Sequence, residues 1–298
     1  MIIPPSLRKG DRVRIVSPAG AVDPAYVEGA MQTLCSWGLR AEASTHALGR
    51  FGRFAATADE RLADLREAVA DDEVRAVLCS RGGYGAVQLL EGLDADLVRR
   101  HPKWLIGYSD VTLLHAFWNR AGVASLHAPM AKHLAERPAD EASLALRRAL
   151  TEGPADLGFA PHKLNIEGKS EGHLAGGNLA VLSALHATPY DFDYRGAVLF
   201  IEDIAESPYK IERMIYSLRL SGAMRELAGL VVGQFTECNE DPLLGLTIYE
   251  DIRRLAADCG IPVCFDAPVG HVDRSLPLVE GARVELSVGP QDVRIRYK

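Results

Sequence analysis

The sequence predicts an α/β protein, with an N-terminal domain on a mostly parallel sheet and a second, C-terminal α/β domain. Short apolar runs alternate with amphipathic helical segments from Arg12 to Arg120. Alternation of this kind is typical of parallel strands with helices on both faces of the sheet. Around residues 134–168 the pattern weakens and Pro, Gly and polar residues become frequent. We therefore predict an N-terminal domain over 1–140, a linker region over 141–168 and a C-terminal domain over 169–298.

The first half contains four strand-like runs, each followed by a helical or turn segment. The helix from Pro24 to Gly38 has a regular apolar stripe and a glycine at its end, and Thr57 to Glu60 form a capping box that begins another helix. The predicted strands are Arg12–Ser17, Leu39–Ser44, Val74–Cys79 and Trp104–Tyr108, and further helical segments follow at Ala86–Leu90 and Asp110–Arg120.

The second half alternates less regularly. A Gly-Gly-Asn turn followed by a helix is predicted within Gly172–Thr188, and Pro208 and Gly222 have the positions expected just inside the start and just past the end of a helix. The other predicted elements are strands at Ala197–Glu202, Leu227–Gly233, Val263–Ala267 and Ala282–Val288, and helices at Pro208–Leu220 and Leu246–Ala257.

Composition excludes several classes of function. The 298 residues carry a net charge of -7, which disfavours a nucleic-acid-binding protein because such proteins present a basic face. No apolar run is long enough to span a membrane, and the N-terminus lacks the apolar core of a signal peptide.

The five cysteines form no C-x-x-C pair, so we expect reduced thiols in a cytoplasmic protein. Most are expected in the core, and a catalytic Cys79 is the alternative.

Ligands of parallel α/β sheets bind at the carboxyl ends of the strands, so the residues after each strand are the candidate site. Ser109 lies where a strand meets a helix. It is either a helix N-cap or a nucleophile on a tight turn, with the Asp110 amide facing a developing oxyanion.

The turn Ser80–Gly85 contains three glycines. It is either a structural turn or one whose successive backbone amides hold an anion, and its spacing disfavours a dinucleotide site.

A carboxylate and a histidine follow later strands. Glu202 ends an apolar strand, where a histidine-orienting acid would lie, and Asp203 and Glu206 compete for that role. His271 follows Gly270 in a strand-like segment. The residues alone do not choose it over four other candidates, His115, His127, His173 and His186. The order Ser, Glu, His suits a hydrolase because the imidazole must accept the serine proton.

Several segments, taken in order, resemble the LD-carboxypeptidase family, the S66 serine peptidases, along nearly the whole chain. The segments that carry the resemblance are Leu7–Asp11, Val16–Ala19, Arg81–Gly85, Ile106–Thr112, His127–Met130, Gly176–Leu179, Phe200–Asp203, Pro208–Met214 and Gly270–His271. One departure is Ala128, where the family commonly has glycine; the extra Cβ should narrow the nearby cleft without removing activity.

The resemblance implies a catalytic triad of Ser109, Glu202 and His271, with backbone amides of Asp110 and of Gly82 or Gly83 as oxyanion donors. It also implies a site between the two domains, a homodimer, and no metal or cofactor. The implied substrate is a small peptide, a muropeptide that loses its terminal D-Ala during cytoplasmic recycling of cell-wall fragments. Arg81, Tyr84 and Arg274 are candidates to bind the substrate, with the two arginines suited to its terminal carboxylate.

Two other functions remain open at this point. Some members of the family hydrolyse aminoacyl- or peptidyl-nucleotide antibiotics of the microcin C type, which requires an aromatic platform for the base. All three tryptophans, Trp37, Trp104 and Trp118, lie in the first half of the chain, which favours the muropeptide. The other alternative is a non-catalytic protein that binds a small ligand at the Gly82–Gly85 turn.

Overall fold

The protein, described by a computed structural model over residues 1–298, divides into two units. Unit 1 comprises Met1–Pro154 and Leu276–Gly281, and unit 2 comprises Ala155–Ser275 and Ala282–Lys298. The structure differs here from the predicted boundaries. Residues 141–154, predicted as linker, form a helix and its end within unit 1, and a short strand near residue 280 also belongs to unit 1.

Thirteen strands and ten α-helices make up the two units. The strands are β1 Arg12–Val16, β2 Arg40–Ala43, β3 Val74–Cys79, β4 Trp104–Gly107, β5 Ser125–His127, β6 Leu157–Phe159, β7 Gly168–Asn178, β8 Ala197–Ile204, β9 Gly229–Thr236, β10 Val263–Cys264, β11 Leu278–Glu280, β12 Arg283–Val288 and β13 Val293–Tyr297. The helices are α1 Pro24–Ser36, α2 Ala58–Ala70, α3 Ala95–Arg100, α4 Thr112–Arg120, α5 Ala131–Glu136, α6 Glu141–Thr151, α7 Leu179–Leu185, α8 Pro208–Leu220, α9 Ala223–Glu226 and α10 Ile248–Ala256. Single 3-10 segments cover Ala86–Gly92 and Ser109–Val111.

Unit 1 contains a six-stranded sheet in the order β11-β5-β4-β3-β1-β2. All neighbouring strands are parallel except β11, which runs antiparallel to β5, so the predicted mostly parallel sheet is confirmed. The central strands β3 and β4 are almost wholly buried, as expected for strands covered on both faces. The capping box at Thr57 and Glu60 begins α2 as predicted.

Unit 2 contains a seven-stranded mixed sheet in the order β10-β9-β8-β7-β12-β13-β6. Strands β7, β8, β9 and β10 pair with one another in parallel, whereas β12 pairs antiparallel with β7, β13 with β12 and β6 with β13. Helix α8 has the predicted bounds, and Gly222 lies beyond its end with a positive φ of 89°. The α/β class predicted for the second half is confirmed.

One predicted turn is wrong. Gly176, Gly177 and Asn178 do not turn the chain but end β7, an eleven-residue strand. A Cβ at Gly176 would overlap the carbonyl of Phe200, so glycine permits the close pairing of β7 with β8. Asn178 then caps α7 by accepting a hydrogen bond from the Val181 amide at 3.1 Å.

None of the helices combines the length and the apolar character that crossing a membrane requires.

Candidate active site

Ser109 lies on a tight turn between β4 and α4. Gly107 ends the strand, Tyr108 is still extended, and Ser109 has a positive φ of 64°, which is strained for a residue with a Cβ. No side-chain cap hydrogen bond is formed at the start of either the 3-10 segment or α4, so Ser109 is not used as an N-cap. Its side chain is partly exposed. The geometry is that of an elbow that presents a hydroxyl.

The glycine turn of unit 1 packs directly against this elbow. A Cβ built on Gly82 would lie 2.8 Å from Ser109 Cβ, 3.0 Å from its Oγ and 3.1 Å from the Asp110 amide nitrogen. Only glycine therefore fits at position 82 without moving the elbow. Gly83 and Gly85 have positive φ values of 102° and 136°. The structure thus brings together three of the residues predicted to surround the oxyanion: Gly82, Ser109 and Asp110.

The Asp110 side chain holds the glycine turn in place. Its carboxylate is 4% exposed and accepts a hydrogen bond from the Ala86 amide at 2.8 Å. Burial raises the Asp110 pKa, an effect opposed by hydrogen bonds from the Ala86 and Gly85 amides and by the charge of Arg61. Arg61 is itself buried and donates to the Gly85 carbonyl at 3.0 Å. The sequence did not indicate this role for Arg61, because a buried arginine on a helix cannot be told from an exposed one by sequence pattern.

The two predicted substrate-binding residues of unit 1 both lie on this turn. Arg81 is exposed and donates to the Ala21 carbonyl at 3.0 Å. Tyr84 is 49% exposed, with its ring centroid 5.9 Å from that of Phe54 and 6.0 Å from the guanidinium carbon of Arg53.

Unit 2 contains a buried carboxylate–imidazole pair. Glu202 Oε2 lies 2.7 Å from His271 Nδ1, and Glu202 is 0% exposed. The β8–β9 register shifts between Ile201 and Asp203, where Glu202 on β8 lies opposite two residues of β9, Gly233 and Gln234. A carboxylate can only accept, so His271 Nδ1 carries the proton and Nε2 carries the lone pair of the neutral ring.

Glycine makes the approach of these two residues possible. Gly270 has a φ of 136°, and a Cβ there would lie 3.2 Å from both Glu202 Oε2 and Gln234 O. The Gly270 amide donates to Ser275 Oγ at 3.1 Å. The predicted third substrate-binding residue, Arg274, is exposed in the same loop.

The competing acids have other partners. Asp203 is buried and accepts from Asn178 Nδ2 at 2.9 Å, from the Ala180 amide at 2.8 Å and from its neighbour Ile204 at 2.8 Å. Glu206 pairs with Lys210 at 3.4 Å. Asp203 therefore joins β7, β8 and α7, and only Glu202 contacts a histidine.

The other candidate nucleophile and histidines have structural environments. Cys79 is wholly buried, and burial raises its thiol pKa above the ordinary value, which disfavours a thiolate. His173 donates to the Asp193 carbonyl at 2.9 Å, and His186 pairs with Asp191 at 3.0 Å. His115 and His127 are wholly buried within unit 1.

Unit 1 contains a histidine–carboxylate pair that the sequence did not indicate. His46 Nδ1 lies 2.8 Å from Asp64 Oδ1, while Asp64 Oδ2 accepts from the His46 amide at 2.9 Å. The second bond makes Asp64 an anchor for the loop after β2. The hydrogen bond and charge of Asp64 raise the His46 pKa, which favours the protonated ring rather than a base.

Comparison with known proteins finds matches in both halves of the chain. The LD-carboxypeptidase N-terminal domain family matches residues 13–128, and the LD-carboxypeptidase C-terminal domain family matches residues 171–286. A relative from Bacillus subtilis (strain 168), described as a probable murein peptide carboxypeptidase, is 36% identical over 293 residues, covering 95% of this chain and 91% of its own.

Solved structures show the same fold. The muramoyltetrapeptide carboxypeptidase from Oxalobacter formigenes aligns with a TM-score of 0.89 and 28% identity, covering 96% of this chain and 98% of its own. The microcin C7 self-immunity protein MccF, solved with aspartyl sulfamoyl adenosine, aligns with a TM-score of 0.87 over 100% of this chain and 99% of its own, and its 20% identity supports the fold alone. The chain therefore belongs to the LD-carboxypeptidase family, the S66 peptidases, and is an enzyme of the carboxypeptidase class.

Proposed function

We propose that the protein is a serine-type LD-carboxypeptidase that releases the terminal D-Ala of a muropeptide, with Ser109, Glu202 and His271 as its triad. The observation that carries the proposal is the 2.7 Å contact between the buried Glu202 carboxylate and His271 Nδ1. A buried acid that fixes the imidazole tautomer is what a serine nucleophile requires of its base.

The proposed reaction uses each group in turn. His271 Nε2 accepts the proton of Ser109 as its oxygen attacks the carbonyl carbon of the bond before D-Ala. The protonated ring, stabilised by Glu202, then gives this proton to the leaving D-Ala amine. Water repeats the sequence on the acyl-enzyme, with His271 again acting first as base and then as acid.

The oxyanion would be held by backbone amides. We propose the Asp110 amide as one donor and the Gly82 or Gly83 amide as the other. The close packing of Gly82 on Ser109, and the Asp110 carboxylate bonded to Ala86, support a rigid arrangement of these amides. Rigid donors stabilise charge in the transition state because they need no reorganisation as it forms.

The proposed substrate class is supported by the relatives and by exposed arginines on the glycine turn of unit 1 and on the His271 loop of unit 2. The Bacillus subtilis and Oxalobacter formigenes proteins are described as acting on murein peptides or muramoyltetrapeptides. Arg81 and Arg274 are proposed to bind the terminal carboxylate, and Tyr84 to contact the peptide. We further propose cytoplasmic recycling of cell-wall fragments as the setting and a homodimer as the working form.

A nucleotide substrate of the microcin C type is less well supported. Such a substrate needs an aromatic platform for its base, and two of the tryptophans, Trp104 and Trp118, are buried in the core of unit 1. The third, Trp37, ends α1 in the same unit. Unit 2 has no tryptophan for this role.

The test is release of D-Ala from synthetic tetrapeptides, run beside an aminoacyl sulfamoyl adenosine. The wild type and the control Ser36→Ala should release D-Ala, and Ser109→Ala should release none while keeping its circular dichroism spectrum. Turnover retained in Ser109→Ala would contradict the nucleophile assignment. Cleavage of the adenosine compound alone would contradict the substrate class.

A further inference from the structure

A second polar cluster lies inside unit 1 and has no role in the proposed reaction. It consists of His115 on α4, His127 at the end of β5 and Glu280 on β11, each with 0% exposure. One ligand atom of each residue lies within 4.8 Å of the others. Two imidazoles and a carboxylate form a donor set that binds divalent transition metals.

The strand register explains how the cluster forms. β11 pairs antiparallel with β5, so that Glu280 lies opposite Ser125 and Leu278 lies opposite His127. Residues directly opposite each other, and residues two apart on one strand, face the same side of a sheet. Ser125, His127 and Glu280 therefore share one face of the sheet, and His115 approaches that face from α4.

His115 has its lone pair directed into the cluster. Its Nε2 lies 2.9 Å from the Gly107 carbonyl, which can only accept, so Nε2 carries the proton and Nδ1 the lone pair. Nδ1 accepts a hydrogen bond from Ser125 Oγ at 2.8 Å, which an ion would replace, and lies 3.8 Å from Glu280 Oε1. Metal-binding histidines usually donate their second ring N–H to a carbonyl or carboxylate in this way.

The distance between His115 and Glu280 is compatible with a shared ion but not with a direct hydrogen bond. A separation of 3.8 Å is too long for a hydrogen bond. Two ligands of a tetrahedral ion with bonds of about 2.0–2.1 Å lie about 3.3 Å apart, so an ion between these atoms needs a shift of only about half an ångström.

We propose that this His115–His127–Glu280 cluster binds one divalent transition-metal ion of the Zn²⁺ type. His115 Nδ1, a ring nitrogen of His127 and the Glu280 carboxylate would be its ligands, with Ser125 Oγ or a water as the fourth. The ion would join α4, β5 and β11. His127 also contacts the ring of Tyr108, with 5.8 Å between ring centroids, so the ion would lie behind the elbow that presents Ser109. The role is structural and independent of the triad.

The experiment measures metal content and spectrum rather than turnover. The full chain is stripped with a chelator, then exposed to Zn²⁺ or Co²⁺ both in the folded state and during refolding, since a buried site can exchange slowly. After dialysis we expect about one ion per chain by elemental analysis, visible Co²⁺ bands typical of a four-coordinate nitrogen and oxygen site, and a raised Tm.

The variants separate this site from binding at surface histidines. Glu280→Gln, nearly the same shape, should lose the bound ion, the Co²⁺ bands and the Tm rise. The control His101→Gln removes an imidazole that pairs with exposed Asp72 and should retain all three. Ion content well below one per chain in the wild type, or equal binding in Glu280→Gln, would overturn the proposal. The three residues would then interact with their protein neighbours alone and bind no ion. Should Glu280→Gln fail to fold, absence of Co²⁺ bands in the wild type would overturn it equally.

Discussion

Glu202 Oε2 accepts a hydrogen bond from His271 Nδ1 at 2.7 Å. Gly270, the residue before His271, has a positive φ and permits this close approach. Glu202 is fully buried, whereas the His271 side chain is 15% exposed. The pair therefore has one end fixed in the core and the other directed toward solvent. This asymmetry is expected of a base that is held by protein and meets a substrate.

Replacing the carboxylate tests the pair directly. In Glu202→Gln an amide can donate to Nδ1, which moves the ring proton to Nε2 and removes the base. We expect kcat for D-Ala release to fall by about 10²–10⁴, less than in Ser109→Ala, by analogy with triad carboxylate losses.

The control for this variant is Glu206→Gln, which alters an acid paired with Lys210. Its kcat should stay within about twofold of the wild type, because a partly exposed ion pair contributes little. A large loss in Glu206→Gln with little loss in Glu202→Gln would show that the wrong acid has been assigned.

The positive φ of Ser109 predicts a stability difference between two inactive variants. Ser109→Ala keeps a Cβ at φ 64°, whereas Ser109→Gly removes the strain at some entropic cost in the unfolded chain. We expect Ser109→Gly to be more stable than Ser109→Ala by about 0.5–1 kcal/mol in urea unfolding. Equal stabilities, or a more stable alanine variant, would mean that the elbow stores no strain.

The first half of the fold could be predicted because its strands are local signals. The run from Val74 to Cys79 is apolar except for Arg75 and is bounded by polar residues, and β3 has these same bounds. The sequence also places Ser109 correctly at the end of β4, because a strand directly followed by an amphipathic helix leaves room only for a tight turn.

Elements that depend on distant partners could not be predicted in this way. β7 contains four glycines and no β-branched residue, and it is a strand because it pairs with β8 and β12. β11 has three residues and joins the sheet of unit 1 through β5, far earlier in the chain. The burial of Glu280 follows from that pairing, whereas glutamate is ordinarily exposed.

The residues of the candidate site likewise include some that local sequence predicts and some that depend on distant partners. A local pattern indicates Ser109 and the glycine turn, but the choice of Glu202 over Asp203 depends on how β8 pairs with its neighbouring strands, which the local sequence does not show. The choice of His271 depends on its 2.7 Å contact with that acid, a relationship between residues 69 positions apart. Only the family resemblance could indicate it from sequence.

Gly82 supplies a prediction about the elbow. A Cβ in Gly82→Ala would lie 2.8 Å from Ser109 Cβ and must displace either the elbow or the turn. We expect kcat/KM for D-Ala release to fall at least about tenfold and the free energy of unfolding to fall by about 1–3 kcal/mol, as for other overpacked sites.

The matched control is Gly158→Ala in β6, where φ is not positive and the nearest atom to an added Cβ, Val293 O, is 3.9 Å away. This variant should change kcat/KM less than about twofold. Full activity in Gly82→Ala, with unchanged stability, would show that the turn does not need to approach Ser109 so closely.

Asp203 predicts how stability depends on pH. Burial raises its pKa to about 6, above the ordinary carboxyl value, although three N–H donors favour the charged form. Between about pH 4 and 6 the folded state then binds more protons than the unfolded state, so this residue's contribution to stability is greatest at low pH and is lost as pH rises through 6. From pH 4.5 to pH 7.5 the loss amounts to about 2 kcal/mol.

Asp203→Asn isolates this contribution because asparagine does not titrate. The variant should be less stable than the wild type, since its NH₂ group must face one of the three donors. The stability gap between the two proteins, measured by urea unfolding, should be larger at pH 4.5 than at pH 7.5 by about 2 kcal/mol. A gap that instead widens toward pH 7.5 would mean that the bonds from Asn178, Ala180 and Ile204 outweigh burial and keep Asp203 ionised.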